Sequence, residues 1–142
     1  MKPNLLVICN GNDVCSQLTE AWLRHYLGRR VEVFSAGLNS QQVHPLAIRV
    51  MKEMGMDISM HTSNDVSDFI HLQFDTVITI SDRVRDNCPW FPQEVKRVHA
   101  SFTDPGVIDG TDDEKLFQFR KVRDQIREWC HRFAVRYIES IK

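Results

Sequence analysis

The sequence has few cysteines and no long apolar run, and each shortage excludes a class of protein. Its four cysteines are too sparse for the disulfide framework on which small secreted domains rely. No apolar stretch approaches the ~18 residues of a membrane-spanning helix, and no signal peptide is visible. We therefore expect a cytoplasmic protein without a membrane partner, whose thiols are buried, bind ligands or take part in redox chemistry.

The chain also lacks an excess of charge of either sign. Its formal net charge is −1, with 18 Lys and Arg against 19 Asp and Glu, so no basic surface indicates a nucleic-acid partner. It has no internal repeat, low-complexity segment or linker. Of the 142 residues, 42% are hydrophobic, which is enough for the core of one domain. We predict a single domain over residues 1–142.

Apolar runs alternate with amphipathic segments along the chain. A continuous apolar run is typical of a buried parallel strand, which we predict at residues 5–9. We predict three further strands, at residues 31–34, 75–80 and 95–99. Apolar stripes predict helices from Ser16, as N-cap, to Gly28, from Pro45 to Met54, from about Asn64 to His71, and for about six turns between Leu116 and Tyr137. His44-Pro45 starts the second of these, with His44 as a capping or packing group, and Ser63 can cap the third. The predicted fold class is α/β: a three-layer, four-stranded parallel sheet with helices on both faces.

Three polar segments follow predicted strands. They are the loop that begins at Cys9, the loop over residues 81–93 and the turn at Asp104. Ligands of parallel sheets bind beyond the carboxyl ends of the strands. We therefore expect these distant segments to open onto one edge of the sheet and to form one site.

The loop after the first strand has the composition of an oxyanion cradle. Backbone N–H groups and the positive end of the following helix would converge on one point there. The Cys9 thiolate would be stabilised at that point and become nucleophilic. The loop consists of Cys9, Asn10, Gly11, Asn12, Asp13, Val14 and Cys15, and ends at Ser16.

This loop resembles the phosphate loop of the low-molecular-weight protein tyrosine phosphatases and the thioredoxin-coupled arsenate reductases. Their pattern is Cys, two residues ending in Gly, Asn, Ser, any residue, Arg, then Ser or Thr, and Cys9, Gly11, Asn12 and Ser16 fall on it. The resemblance covers nearly the whole chain and is strongest to the arsenate reductases. It continues in SQLTEAW, FSAGL, HPLAIRVMKEMGMDIS, VITISDRVRDNCPWFP, FTDPG and FRKVRDQIREW.

The resemblance implies roles for particular residues. Cys9 stands at the nucleophile, Ser16 at the hydroxyl that donates to the thiolate, and Asp104 at the general acid. Cys88 stands at the last cysteine of a redox relay, Ser81 replaces its middle cysteine, and thioredoxin is the partner that such a relay implies. A weak potassium site is also implied, at Asn12, Glu20, Ser35 and Asn64, the last in place of an Asp.

Two departures alter the charge of the loop. Cys15 replaces the arginine that clamps the oxyanion, and Asp13 replaces a serine, so a positive charge is lost and a negative charge is gained. A thiol cannot replace the two charge-assisted hydrogen bonds of a guanidinium. We predict that the loop binds small oxyanions such as phosphate and arsenate poorly, that the family's oxyanion chemistry is weak or absent, and that Cys9 is closer to an ordinary thiol.

Two alternatives remain open at this point. Arg83 or Arg85 can act as a substitute clamp for a thiol-nucleophile enzyme. Cys9 can instead pair with Cys15, within a set of redox candidates that includes Cys88, in a non-enzymatic module that senses redox state or binds a partner. We predict no cofactor and no resident metal, because Cys9, Asp13 and Cys15 lie on one tight loop without a histidine at ligand spacing.

Overall fold

A parallel sheet of four strands lies at the centre of the computed structural model, which describes residues 2–11, 13–69, 71–81, 85 and 95–141. The strands are β1 (Asn4–Cys9), β2 (Glu32–Gly37), β3 (Thr76–Ile80) and β4 (Lys96–Ala100). Their order is β2-β1-β3-β4, which confirms the predicted four-stranded parallel sheet. Pairing of Cys9 with Gly37 carries β2 three residues beyond the predicted end at Phe34.

Helices cover both faces of this sheet. Side chains alternate along a strand, so Leu5 of β1 faces one side and Leu6 faces the other. The side of Leu5 packs against α1 (Cys15–Leu27), α2 (Pro45–Lys52) and α3 (Asp112–Ser140). The side of Leu6 packs against a 3-10 helix at Val66–Phe69. The predicted three-layer α/β architecture is confirmed.

The start of α1 differs from the prediction. Val14 precedes the helix without a side-chain cap, and Ser16 lies inside the first turn, so the prediction of Ser16 as N-cap is wrong. The reason is that the Ser16 hydroxyl contacts the Cys9 sulfur at 2.9 Å. The end of α1 is as predicted, since Gly28 follows Leu27 with a φ of +61°, which favours glycine.

The helix predicted over residues 64–71 is reduced to the single 3-10 turn at Val66–Phe69. Residues before that turn are engaged by β2 instead: the Asn64 carbonyl accepts the Gly37 N–H at 2.8 Å, and Asp65 forms a parallel bridge with Gly37. Ser63, the predicted cap, donates its hydroxyl to the Gly11 carbonyl at 3.3 Å. These long-range contacts override the local helical pattern.

The remaining helices differ from the prediction in length. The second helix ends at Lys52 rather than Met54, and the last one spans 29 residues, about eight turns rather than six. Its start is fixed by Thr111, whose side chain accepts the Glu114 N–H while the Glu114 carboxylate accepts from the Thr111 backbone. Within the described ranges, no helix combines the length and apolar character that crossing a membrane requires.

Candidate active site

The carbonyl groups of the loop after β1 are tied to the segment that follows β2. In a trans peptide unit the C=O and the next N–H point in opposite directions, so this anchoring turns the N–H groups of Asn10, Gly11 and Val14 away from residues 38–44. Main-chain N–H groups arranged in this way are typical of anion-binding concavities. Each bond joins a backbone N–H to a loop carbonyl: Leu38 donates to Cys9 (N···O 3.1 Å), Asn39 to Asn10 (2.8 Å), Gln41 to Gly11 (2.8 Å) and His44 to Asp13 (2.9 Å).

Cys9 ends β1 and lies beside the first turn of α1. Its side chain is 7% exposed, and its sulfur lies 2.9 Å from the Ser16 hydroxyl oxygen. The thiol donates in this contact, whereas an ionised Cys9 would accept from the same hydroxyl. The positive end of the α1 dipole adds to the stabilisation of negative charge at this point. The structure thus brings together two of the three residues predicted to be catalytic.

The loop opens into a cavity of about 360 Å³, which is also lined by the end of β3 and by residues that follow β4. Ser81 and Asp104 line this cavity together with Cys9, so the described residues of the three polar segments meet at one edge. We call it the nucleophile cavity, after the predicted role of Cys9. Ser81 has a φ of +81°, a conformation that is costly for a residue with a side chain and is often found at functional sites. The complete lining is Cys9, Asn10, Gly11, Asp13, Cys15, Gln41, His44, Ile80, Ser81, Phe102, Asp104, Gly106 and Val107.

The carboxylate of Asp13 lies against Gly11, within the same loop. One of its oxygens lies 2.8 Å from the position that a Cβ on Gly11 would take, so a side chain there would collide with it. Burial and the negative charge of Asp104 raise the pKa of Asp13, while the backbone N–H groups of Asp13 and Val14 donate to the carboxylate and partly oppose that shift. The carboxylate therefore uses donors of the cradle itself.

Cys15, predicted to replace the family's arginine, is a neutral group at the start of α1. Its side chain is 6% exposed, and its sulfur lies 4.0 Å from the Thr103 carbonyl oxygen. Burial raises the pKa of the Cys15 thiol well above its ordinary value, and the charges of Cys9, Asp104 and Asp13 add to the shift. Cys15 therefore stays protonated near neutral pH and is a poor nucleophile.

Asp104 combines a structural contact with its place in the nucleophile cavity. One carboxylate oxygen accepts the Gly106 N–H at 2.8 Å and caps the 3-10 turn at Pro105–Val107. This is the turn-opening role that an Asp-Pro pair often has. The residue is exposed, so its carboxylate is accessible from solvent to a molecule in the nucleophile cavity.

Sequence reasoning treated His44 as a capping or packing group and missed its place in the nucleophile cavity. Its Nδ1 accepts the Leu46 N–H at 3.1 Å, which requires that nitrogen to be unprotonated and leaves the proton on Nε2. The pattern His44-Pro45 signalled the helix start correctly. No sequence signal links it to the loop, because the link is the backbone bond from His44 to Asp13.

The potassium candidates meet only in part. The Ser35 hydroxyl donates to Glu20 at 2.7 Å, but the Glu20 carboxylate is also 3.4 Å from Arg24 and 3.5 Å from His61. Asn64 donates its side-chain amide to Thr62, and Asn12 lies outside the described residues. In the part of the chain that the structure describes, no cluster of three His, Cys, Asp or Glu side chains is placed to hold a metal ion. The potassium site stays a prediction.

Comparison with known proteins identifies the family. The family model for low molecular weight phosphotyrosine protein phosphatase matches residues 4–142. The chain belongs to this family. Its members include the relatives to which the motifs pointed, so the resemblance inferred from the sequence is confirmed.

Within the low molecular weight phosphatase family, the chain is similar to arsenate reductases. The arsenate reductase of Halalkalibacterium halodurans is 40% identical over 133 residues, covering 94% of this chain and 96% of the relative. A solved arsenate reductase in its oxidized state has a TM-score of 0.79 at 30% identity, covering 96% of this chain and 98% of that chain. The solved thioredoxin-dependent arsenate reductase of Corynebacterium glutamicum has a TM-score of 0.65 at 30% identity, covering 90% of this chain and 60% of that chain.

Several family positions predicted from the sequence fall outside the described residues. These are Asn12, Arg83 and Cys88. Arg85 is described: it is exposed, and its backbone N–H donates to the Ser81 carbonyl at 3.2 Å. Arg85 does not belong to the lining of the nucleophile cavity. The substitute clamp and the redox pairing of Cys9, Cys15 and Cys88 stay predictions.

Proposed function

We propose that this domain, similar to arsenate reductases, keeps the thiol nucleophile of the low molecular weight phosphatase family but performs its oxyanion chemistry weakly or not at all. One observation carries the proposal. The described lining of the nucleophile cavity contains the carboxylates of Asp13 and Asp104 and no guanidinium. In addition, the Asp13 carboxylate lies against Gly11 of the same loop, where its negative charge opposes an incoming oxyanion.

The size of the electrostatic effect supports this proposal. At a separation of about 4 Å and an effective dielectric constant of about 20, each unit charge contributes ~4 kcal/mol to its interaction with an anion. Loss of the arginine and gain of Asp13 both act against a bound oxyanion. In phosphoryl transfer, an arginine that stabilises the transition state contributes ~10³–10⁵ in rate. Intact main-chain donors do not compensate for changes of that magnitude.

The retained parts support Cys9 as the attacking group rather than a different chemistry. Cys9, its contact with Ser16 and the anchored loop main chain are all in place. Asp104 lies in the same cavity, where a general acid would be needed. The proposed defect is therefore one of substrate binding and charge stabilisation, with the nucleophile itself in position.

The same reasoning applies to thioredoxin as a partner. Ser81 lines the nucleophile cavity at the position of the relay's middle cysteine, and a hydroxyl cannot form a disulfide. The protonated Cys15 thiol is a poor substitute, because thiol–disulfide exchange requires the thiolate. We propose that thioredoxin-linked turnover of arsenate is slow or absent.

Binding and turnover measured on the full chain test the proposal. Calorimetric titration with phosphate and arsenate should show no saturable binding up to about 10 mM, since that limit corresponds to only about −3 kcal/mol. Hydrolysis of 4-nitrophenyl phosphate and arsenate reduction with thioredoxin, thioredoxin reductase and NADPH should stay near the rates of the Cys9→Ser variant. Micromolar binding of either oxyanion, or Cys9-dependent turnover at about 1–10³ per second, the range of ordinary enzymes, would refute the proposal.

A further inference from the structure

A second cavity lies directly beside the nucleophile cavity. It has a volume of about 330 Å³ and lies between the start of α2, the turn at Pro105–Val107 and the start of α3. His44 and Gly106 line both cavities and therefore form a wall that the two spaces share. The volume is within the range of about 300–1,000 Å³ that is typical of small-molecule sites.

The charges of the two cavities have opposite signs. Arg49 of α2 and Lys115 of α3 both line the second cavity, with Asp112 as a single opposing carboxylate. Within the described ranges, neither cationic side chain forms an ion pair or a hydrogen bond. By contrast, Arg120 and Arg123 of α3 are both paired with Glu53. The nucleophile cavity instead presents Asp13 and Asp104. The described part of the chain therefore places no Lys or Arg in the nucleophile cavity but places two in the adjacent second cavity.

The remaining walls of the second cavity are apolar. Leu46, Ile108 and Phe119 contribute to them, and the Phe119 side chain is 1% exposed. The Phe119 ring lies 4.8 Å from the His44 ring, centroid to centroid, which fixes the imidazole at the shared wall. A rigid apolar surface with two unpaired cations is the composition of a site for an amphipathic anion.

We propose that this second cavity binds a small organic anion, with its negatively charged group at Arg49 and Lys115 and its apolar body against Leu46 and Ile108. The inference goes beyond the proposed function, because the second cavity neither contains Cys9 nor requires the loop to bind an oxyanion. A ligand held there would lie across the His44–Gly106 wall from the thiol. The class of ligand is set by the charge and the apolar surface together: inorganic oxyanions lack the apolar body that the second cavity contacts.

An NMR titration of the uniformly ¹⁵N-labelled full chain tests this inference. The probe is 3-phenylpropionate, compared with the neutral 3-phenylpropanol and the cationic 3-phenylpropylamine. We expect saturable shifts of amides in Leu46, Gly106 and Phe119 with the anion, and much weaker ones with the other two. The variant Arg49→Gln with Lys115→Gln should weaken the anion about threefold to thirtyfold, the range expected for two partly exposed ion pairs. Added salt should weaken it further.

Matched controls keep the result interpretable. Lys121→Gln with Arg136→Gln removes two exposed cations from α3 outside the second cavity and should leave the affinity unchanged. Thermal melting shows whether each variant is folded, and inorganic phosphate, titrated separately, reports on the loop alone. The inference is overturned if the anion and the alcohol bind equally, if the double variant binds like the parent, or if the shifts map elsewhere. None of these outcomes depends on whether the loop binds phosphate.

Discussion

Two carboxylates, one at the loop and one at the helix interface, show what a guanidinium does for a negative charge in this protein. Glu53 follows α2 and accepts from Arg120 at 2.6 and 3.0 Å and from Arg123 at 3.0 Å. The hydrogen bond from Arg120, with help from Arg123, lowers the pKa of Glu53 to about 2. Among the residues that the structure describes, Asp13 has no such partner, and burial together with Asp104 raises its pKa.

The contrast separates the scaffold from the chemistry. At the helix interface, guanidinium groups hold a carboxylate and fasten α3 to the end of α2. At the loop, the main chain has the geometry of an anion site, and Cys15 places a neutral thiol where we propose that the completing charge is lost. The fold therefore depends on residues other than those that decide oxyanion binding, and the two can be altered independently.

The largest effect is expected from restoring the family's charges at the loop. Cys15→Arg combined with Asp13→Ser should raise 4-nitrophenyl phosphate hydrolysis by ~10³ or more, since a guanidinium at the transition state contributes that much. Cys15→Gln with Asp13→Ser is the matched control, of comparable bulk and without charge, and should stay near the parent rate. Equal rates in both double variants, with phosphate bound and both proteins folded, would show that charge is not what the loop lacks.

Removing the guanidinium at the helix interface should have the next largest effect. Arg123 is 8% exposed and donates to the Val50 carbonyl at 2.9 Å, one of the last carbonyls of α2. Arg123→Met leaves that carbonyl without its donor and should lower the free energy of unfolding by about 1–3 kcal/mol in urea. Arg132→Met, at an exposed position of the same helix, should change it by less than about 0.5 kcal/mol.

The Glu53 side of the same contact should give a smaller effect that depends on pH. A pKa lowered from 4.5 to about 2 means that Glu53 stabilises the fold above pH 4.5 and loses this contribution as the pH falls through about 2. Glu53→Gln should therefore cost about 1 kcal/mol or less near neutral pH, because the pair is partly exposed. The difference from the parent should shrink toward pH 2 in urea titrations. A difference that is constant over this range would contradict the assigned charge interaction.

Much of the fold follows from local sequence patterns. The apolar run at Leu5–Ile8 predicts the central strand, and Gly28 predicts the end of α1, because burial and positive φ each select particular residues. The 3-10 turn at Val66–Phe69 was not predictable, because the Asn64 carbonyl accepts the N–H of Gly37, which lies 27 positions earlier in the sequence. Local propensity yields to such tertiary contacts.

The site shows the same division. The order of strands and loops predicts that Cys9, Ser81 and Asp104 share an edge, because all three follow parallel strands. That the Asp13 carboxylate turns back onto the loop's own N–H groups depends on the three-dimensional course of the chain. The second cavity was missed for a related reason: Arg49 and Lys115 come from two helices whose packing no local pattern specifies.

The smallest effect, opposite in sign to that of Glu53, is expected at Asp13. Its raised pKa means that the ionised carboxylate opposes folding at pH values above the raised pKa, and that this penalty disappears as the pH falls below the ordinary value of 3.8. Asp13→Asn removes the charge while its amide oxygen still accepts from the Val14 N–H. The melting temperature should rise by about 1–2 °C near neutral pH, since such partly exposed charges contribute less than about 1 kcal/mol.

Asp57 provides the control for this prediction. It accepts the Ser59 N–H at 2.8 Å, and its hydrogen bonds to Ser59 lower its pKa, so Asp57→Asn should not stabilise the fold at any pH. If Asp13→Asn stabilises near neutral pH, loses this advantage in acid and binds phosphate more tightly than the parent, the loop carboxylate acts against both folding and anion binding. A variant that is less stable at neutral pH would instead show that the bonds from the Asp13 and Val14 N–H groups outweigh its desolvation, and that the loop is built around its own carboxylate.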